Sequence, residues 1–307
     1  MPELFAGSAA YPADGPGSVL TIGNFDGVHL GHQALLARLV ATARARSAPA
    51  VVYTFEPSPR AVLAPQQAPP RIHCWPDKVR LLGEHGVDRV VVERFTRAFA
   101  QHPPEWFAHQ VLARRLRAQA LVVGYDFRYG RARAGDVAAL RQTLPELQLE
   151  QVEAVEVDGV VASSSSIRAL VAAGEVARAA ALLGRPYCIR GTVVTGEARG
   201  RQLGFPTANL ESEVELMPEH GVYALRVRVD DGPPRPAVAN IGMRPTFDGR
   251  VPTLEVHLID HREDLYGREL CCAFVARIRG ERRFDDVDAL VSQIRADIET
   301  ARRELST

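Results

Sequence analysis

The chain has 307 residues, more than one ordinary core needs, and 46% of them are hydrophobic, so two domains can each bury a core. Its 37 basic and 37 acidic side chains cancel to zero net charge, which argues against a nucleic-acid or membrane-surface protein. No apolar run reaches transmembrane length, and residues 1–17 have neither a basic start nor an apolar core, so no secretory signal is expected and the cytoplasm is the default location.

The first half alternates. Strand-like runs fall at 19–22, 50–55, 87–92, 120–123 and 151–157, with helix-like stretches at 31–46, 76–85, 104–117 and 136–144 between them. That order predicts a parallel sheet with helices on both faces, a Rossmann-like α/β fold whose ligands gather at the carboxyl ends of the strands.

The turn after the first strand reads G-N-F-D-G-V-H-L-G-H from Gly23 to His32. A helix N-terminus there offers free N–H groups to a phosphate, and Gly23, Gly27 and Gly31 let the backbone approach it. His29 and His32 lie three apart, on one face of the first helical turn, where two imidazoles can donate to a phosphate that gains charge in a transition state. The second strand ends in T-F-E-P-S-P-R, Thr54 to Arg60, whose prolines predict a stiff exit and stop a helix from starting early. The fourth ends in G-Y-D-F-R-Y-G, Gly124 to Gly130, where aromatics among Asp126 and Arg128 could stack a flat ring and bond its polar edge. Four serines, Ser163 to Ser166, then Ile167 and Arg168, open a further helix. One serine suffices as an N-cap, so the others and Arg168 suit a polyphosphate tail. Gly184-Arg185-Pro186 is a strong stop, and the boundary is placed there, dividing the chain into 1–184 and 185–307.

Beyond it the period changes. Strands are predicted at 187–195, 221–229, 237–241, 253–259 and 269–278, separated by Gly/Pro turns, which reads as a small antiparallel barrel. A helix over 285–305 closes the chain, with Asp285 or Asp286 as N-cap and Val287, Leu290, Val291, Ile294 and Ile298 as its apolar stripe. The stretch from Gly196 to Leu210 contains G-R-Q-L-G-F-P-T-A-N-L. Gly200 and its neighbours can wrap phosphates, and Thr207 and Asn209 offer oxygens to a hard cation such as Mg²⁺. Glu255 and His257 share one face of a strand, which on the residues alone reads as a solvated face.

These motifs resemble, in order, those of the bacterial bifunctional riboflavin kinase/FAD synthetase family. The resemblance implies an N-terminal nucleotidyltransferase in which His29 and His32 steady the α-phosphate of ATP. Gly23, Phe25, Gly27, Ser164 and Ser165 would bind its phosphates, Arg168 would neutralise the departing pyrophosphate, and Asp126 and Phe127 would meet the flavin. It implies a C-terminal kinase barrel in which Gly200, Arg201, Thr207 and Asn209 hold ATP phosphates and Mg²⁺, and Glu255 takes the hydroxyl proton. The segment N-I-G-M-R-P-T from Asn240 is expected only as pocket wall, and His257 as a bystander. The chain departs from the family pattern at Ser58, where His is usual, and at Ala198, where Lys is common. The implied partners are riboflavin, FMN, FAD and ATP.

Two further features narrow the chemistry. Lys78 is the only lysine, so Schiff-base chemistry and a P-loop lysine are set aside. Cys74, Cys188, Cys271 and Cys272 form no C-x-x-C pair and are expected as reduced thiols, with Cys271 and Cys272 on opposite faces of a strand. The rival readings are an adenylyltransferase acting on a pantetheine or nicotinamide nucleotide, which the P-T-A-N barrel does not fit, and a flavin-binding protein without turnover.

Overall fold

A computed structural model describes residues 1–14, 17–195, 203–246, 249–261 and 263–306. They form two compact units, one of 1–69 and 75–162, the other of 70–74 and 163–307.

The first unit is a six-stranded parallel sheet in the order β1-β4-β3-β2-β5-β6. Its strands are β1 (Glu3–Phe5), β2 (Ser18–Ile22), β3 (Ala50–Phe55), β4 (Arg89–Glu93), β5 (Ala118–Gly124) and β6 (Gln148–Val152). Successive side chains point to opposite faces, so one strand feeds two cores. Val19, Val52, Val90, Ala120 and Val122 pack under α1 (Leu30–Ala45) against Leu35, Leu36, Leu39 and Ala43. Leu20, Val51, Tyr53, Leu121 and Val123 face the other way, against Phe107, Val111, Leu112 and Leu116. The chain runs outward from β2 through β3 and β4, then returns to the far side of β2 for β5. The carboxyl ends of β2 and β5 therefore flank the point where strand order reverses, the place where open α/β sheets bind ligands.

Several expectations shift. A short edge strand, β1, pairs with β4 and is too brief to carry a period. Proline does not keep the T-F-E-P-S-P-R exit from turning helical: Pro59 opens a short helix, α2 (Pro59–Leu63), because its fixed φ suits the first helical position. Helix α3 (Trp75–Glu84) follows and buries Lys78. The stretch expected as one helix over 104–117 is α4 (Pro104–Trp106) running into a π-helix, Phe107–Arg115. Helix α5 (Val137–Thr143) precedes β6, which ends at Val152. The alternating run beyond it forms a separate two-residue ribbon, β7 (Glu156–Val157) with β8 (Val160–Val161).

In the second unit, α6 (Ser164–Ala172) and α7 (Val176–Leu183) precede the barrel. The packing division at 162/163 thus falls before the expected boundary at Gly184, since α7 buries Val176, Ala179, Leu182 and Leu183 on the barrel side. Gly184 ends α7 at φ 68°, the left-handed cap its sequence predicts. The barrel is closed and antiparallel, in the order β10-β13-β12-β11-β14-β9. Its strands are β9 (Tyr187–Val194), β10 (Ala208–Glu211), β11 (Gly221–Val229), β12 (Arg235–Thr246), β13 (Gly249–Leu258) and β14 (Glu269–Arg279). The sequence reading missed β10, four residues at the tail of the glycine stretch. Closure removes the exposed edges an open sheet would leave. Tyr187, Tyr223, Leu225 and Phe274 fill the interior. Cys272 points in, fully buried, and Cys271 points out. The closing helix α8 (Val287–Ser306) is capped by Asp286, which accepts the Ala289 N–H at 2.7 Å, and lies on the barrel through Ile298, Ala301 and Leu305.

Candidate active sites

In the first unit the turn leaving β2 is wound tightly. Phe25, Gly27 and Val28 take left-handed angles, φ 50°, 87° and 39°. Glycine does so freely; the other two are held there by complete burial of their side chains. His29 is the N-cap of α1, its Nδ1 accepting the His32 backbone N–H at 3.3 Å. Accepting at Nδ1 leaves the proton of the neutral ring on Nε2, which makes that atom the donor. The His29 and His32 rings stack with centroids 3.6 Å apart, and His32 leans on Phe25 at 5.0 Å. Gly31 and Gly23 leave little room for a side chain beside these rings. A Cβ on Gly31 would stand 3.2 Å from the His29 ring and 3.0 Å from the Ala162 carbonyl oxygen, and one on Gly23 would stand 3.1 Å from the Phe25 ring.

The three strand-end motifs meet around one cavity of about 580 Å³. Ile22 and Asn24 come from the first turn, Pro59 and Arg60 from the second, Arg128, Tyr129 and Gly130 from the third. Its floor is aromatic, with Phe55, Phe99 and Phe107 packed against one another. Asp126 is exposed, and Phe127 stacks on Tyr129 with centroids 5.5 Å apart. Burial, then Glu105 and Asp136, push the Tyr129 hydroxyl up to about 12, so it stays protonated at neutral pH. The aromatics Phe95, Phe99 and His102 of this wall carry no motif, and sequence reasoning missed them. Ser58 accepts the Ala61 N–H at 3.3 Å and caps α2, a use for the residue that departs from the family pattern.

The serine stretch and Arg168 pack in the second unit. Ser163 caps α6, accepting the Ser166 N–H at 3.1 Å. Ser164 and Ser165 stand on the first turn, and Arg168 Nε donates to the Pro70 carbonyl at 2.8 Å.

The barrel and α8 enclose a larger cavity, about 740 Å³. Glu255 lies directly opposite Asn209 of β10 on one side and Asn240 of β12 on the other. Residues opposite one another in antiparallel strands share a face, so three oxygen-bearing side chains stand abreast. Glu255, Asn240 and Thr207 line the cavity, and so does His257, whose Nδ1 lies 2.8 Å from the Pro206 carbonyl oxygen. Leu290 and Ile294, the front of the predicted apolar stripe, face this cavity, and Val287 is exposed. Arg279 ends β14 and grips buried Asp297 of α8 through three hydrogen bonds of 2.8 to 3.1 Å, with Gln293 donating to the same carboxylate at 2.7 Å. The run Arg279-Gly280-Glu281-Arg282-Arg283-Phe284, charges around one aromatic at a strand end, is the sequence signal that could have found this wall. Gly200 and Arg201, with Ala198, lie outside the described residues.

Thr207 and Asn209 offer neutral oxygens, and no group of three or more His, Cys, Asp or Glu side chains able to hold a metal occurs among the described residues. That donor set fits Mg²⁺ held chiefly by nucleotide phosphates and water. No helix among the described residues is long and apolar enough to cross a membrane.

Two family models match, one described as FAD synthetase over residues 12–166 and one as riboflavin kinase over 183–305. Curated relatives named bifunctional riboflavin kinase/FMN adenylyltransferase include one from Escherichia coli (strain K12), 43% identical, with 93% of this chain and 92% of the relative covered. Another, from Bacillus subtilis (strain 168), is 35% identical over 94% of this chain and 93% of its own. A solved chain described as a macrolide-efflux protein from Streptococcus pneumoniae shares the fold along its length, with a TM-score of 0.88, 32% identity, and 97% and 98% of the two chains covered. With both models matched in the order of the two folds, and relatives above 30% identity across nearly the whole chain, the protein belongs to the bifunctional riboflavin kinase/FMN adenylyltransferase family.

Proposed function

We propose that the chain makes FAD from riboflavin in two ATP-dependent steps, one in each of the two folds. In the barrel, the terminal ribityl hydroxyl of riboflavin attacks the γ-phosphorus of ATP, and ADP leaves with FMN formed. Glu255 takes the hydroxyl proton. Thr207 and Asn209 hold the phosphate oxygens and would hold Mg²⁺, which, when bound, neutralises phosphate charge and aligns the attack. The 740 Å³ cavity between barrel and helix takes the flavin ring. The observation that carries this reading is the register of Asn209, Glu255 and Asn240 across three adjacent strands, which sets a carboxylate directly between two neutral side chains, with Glu255 and Asn240 at the cavity wall.

In the parallel-sheet domain, the FMN phosphate attacks the α-phosphorus of a second ATP. The bond to the β-phosphate breaks, giving FAD and pyrophosphate. The Nε2–H of His29, with His32 stacked on it, donates to the α-phosphoryl oxygens as charge builds there. Gly23, Phe25 and Gly27 shape the phosphate turn, and Ser164, Ser165 and Arg168 serve the leaving pyrophosphate. The aromatic cavity of about 580 Å³ takes the isoalloxazine, with Asp126 and Phe127 on the loop that closes its wall. The functional division of the chain is set at 184/185.

Purified protein given riboflavin, ATP and Mg²⁺ should show FMN first and FAD after it when the flavins are separated over time. His29→Ala should abolish FAD formation and leave FMN formation intact. Glu255→Ala should lose kinase turnover by about 10²- to 10⁴-fold while still converting supplied FMN. If one substitution removed both activities from a folded protein, the assignment of two separate sites would fall.

A further inference from the structure

Beyond these roles, we infer that His257 is a positioning residue of the kinase site: it locks the Pro206–Thr207 step to the strand that carries Glu255. The inference rests on the reading of Thr207, Asn209 and Glu255 given above.

Strand β10 begins at Ala208, so Pro206 and Thr207 stand just outside the barrel ladder. A proline has no N–H to donate, so Pro206 can be anchored through its backbone only at the carbonyl. That carbonyl oxygen lies 2.8 Å from Nδ1 of His257 on β13. A carbonyl oxygen only accepts, so Nδ1 carries the proton and donates. The ring is also braced by Phe205, which meets it edge to face with centroids 5.9 Å apart. Phe205, Thr207, Glu255 and His257 all line the same cavity.

His257 is two residues from Glu255 on β13, so both side chains leave the strand on one face. One rigid strand thus presents the base and, through His257, fixes the segment that carries Thr207. Phosphoryl transfer depends on the nucleophile, its base and the phosphates being held in line. A tie between the base's strand and the phosphate-holding segment sets that distance without the imidazole touching substrate. This explains why His257 faces the cavity when its ring is engaged with protein backbone.

The test compares His257→Ala and His257→Asn in the full-length protein, measuring KM for ATP and for riboflavin separately. An asparagine amide can place a donor near the Nδ1 position; alanine cannot. His257→Ala should raise the KM for ATP by about three- to tenfold, the scale of one lost hydrogen bond, and leave the KM for riboflavin unchanged. His257→Asn should restore most of the ATP affinity. Conversion of supplied FMN to FAD in the same samples should stay at the parent rate, which reports that the chain is folded. An unchanged KM for ATP in His257→Ala overturns the inference. So does equal loss in both variants with a raised KM for riboflavin, which would make the ring a substrate contact. Glu255→Ala and Thr207→Ala run alongside: if neither lowers kinase turnover, the site reading itself fails and takes this inference with it.

Discussion

At the scale of single residues, both candidate sites are built by what a neighbour leaves room for. Gly31 lies in the first turn of α1, where an alanine would ordinarily favour the helix by about 1 kcal/mol. Here its Cβ would sit 3.0 Å from a backbone oxygen and 3.2 Å from the His29 ring. The ring is the part able to give way, by a few tenths of an ångström. Gly31→Ala should therefore lower thermal stability, because the backbone oxygen gives way less readily than the ring, and lower kcat for FAD formation by about tenfold or more, because reacting groups tolerate little misplacement. Unchanged kcat would show that the His29 ring position is not critical. The H-x-G-H spacing was legible in the sequence, and so was its placement at a strand-to-helix turn. The stacking of the two imidazoles, and the use of His29 as a cap that fixes its own proton on Nε2, were not. They depend on φ values at Phe25 and Val28 that only surrounding burial enforces.

At the scale of elements, α8 shows where periodicity stops being informative. Its apolar stripe reads correctly as a face, but the face has two halves. Ala301 and Leu305 are buried on the barrel, Leu290 looks into the 740 Å³ cavity, and Ile294 and Ile298, between them, touch both. Helical spacing of apolar residues does not distinguish a protein partner from a ligand, since either can cover the stripe. Ile298→Ala should cost about 2–5 kcal/mol, the range for a truncated core side chain. Leu290→Ala should cost much less stability yet weaken riboflavin binding. Thermal unfolding and titration of the flavin fluorescence check this; equal destabilisation by both would mean that the cavity is filled by protein when substrate is absent. Breaking the Arg279–Asp297 grip by Asp297→Ala should destabilise strongly, by about 3–5 kcal/mol, because it strands a cation against α8. A loss within about 1 kcal/mol in urea unfolding followed by barrel signals would refute that.

At the scale of the whole molecule, two folds on one chain carry consecutive reactions, the product of one being the substrate of the other. If each site is complete in its own fold and FMN is released, a mixture of His29→Ala and Glu255→Ala proteins should convert riboflavin to FAD, though neither does so alone. A mixture that stops at FMN would mean that FMN is handed over within one chain. The order of motifs across two unrelated folds was the most informative feature of the sequence. It pointed to the family, while the alternation of strand and helix periods pointed to the parallel sheet and the run of strands to the barrel.

What the amino-acid order determined by itself is local: a period of two or near 3.6, a glycine where φ must be positive, a serine or aspartate where a helix begins. Each of these rests on contacts between residues near in sequence. The tertiary structure decided the rest. It brought Asn209, Glu255 and Asn240 abreast, gathered three loops around one aromatic cavity, and drew α6 and α7 to the barrel unit. Register between distant strands and the packing of one layer on another depend on pairings far apart in the chain, and no local period encodes them.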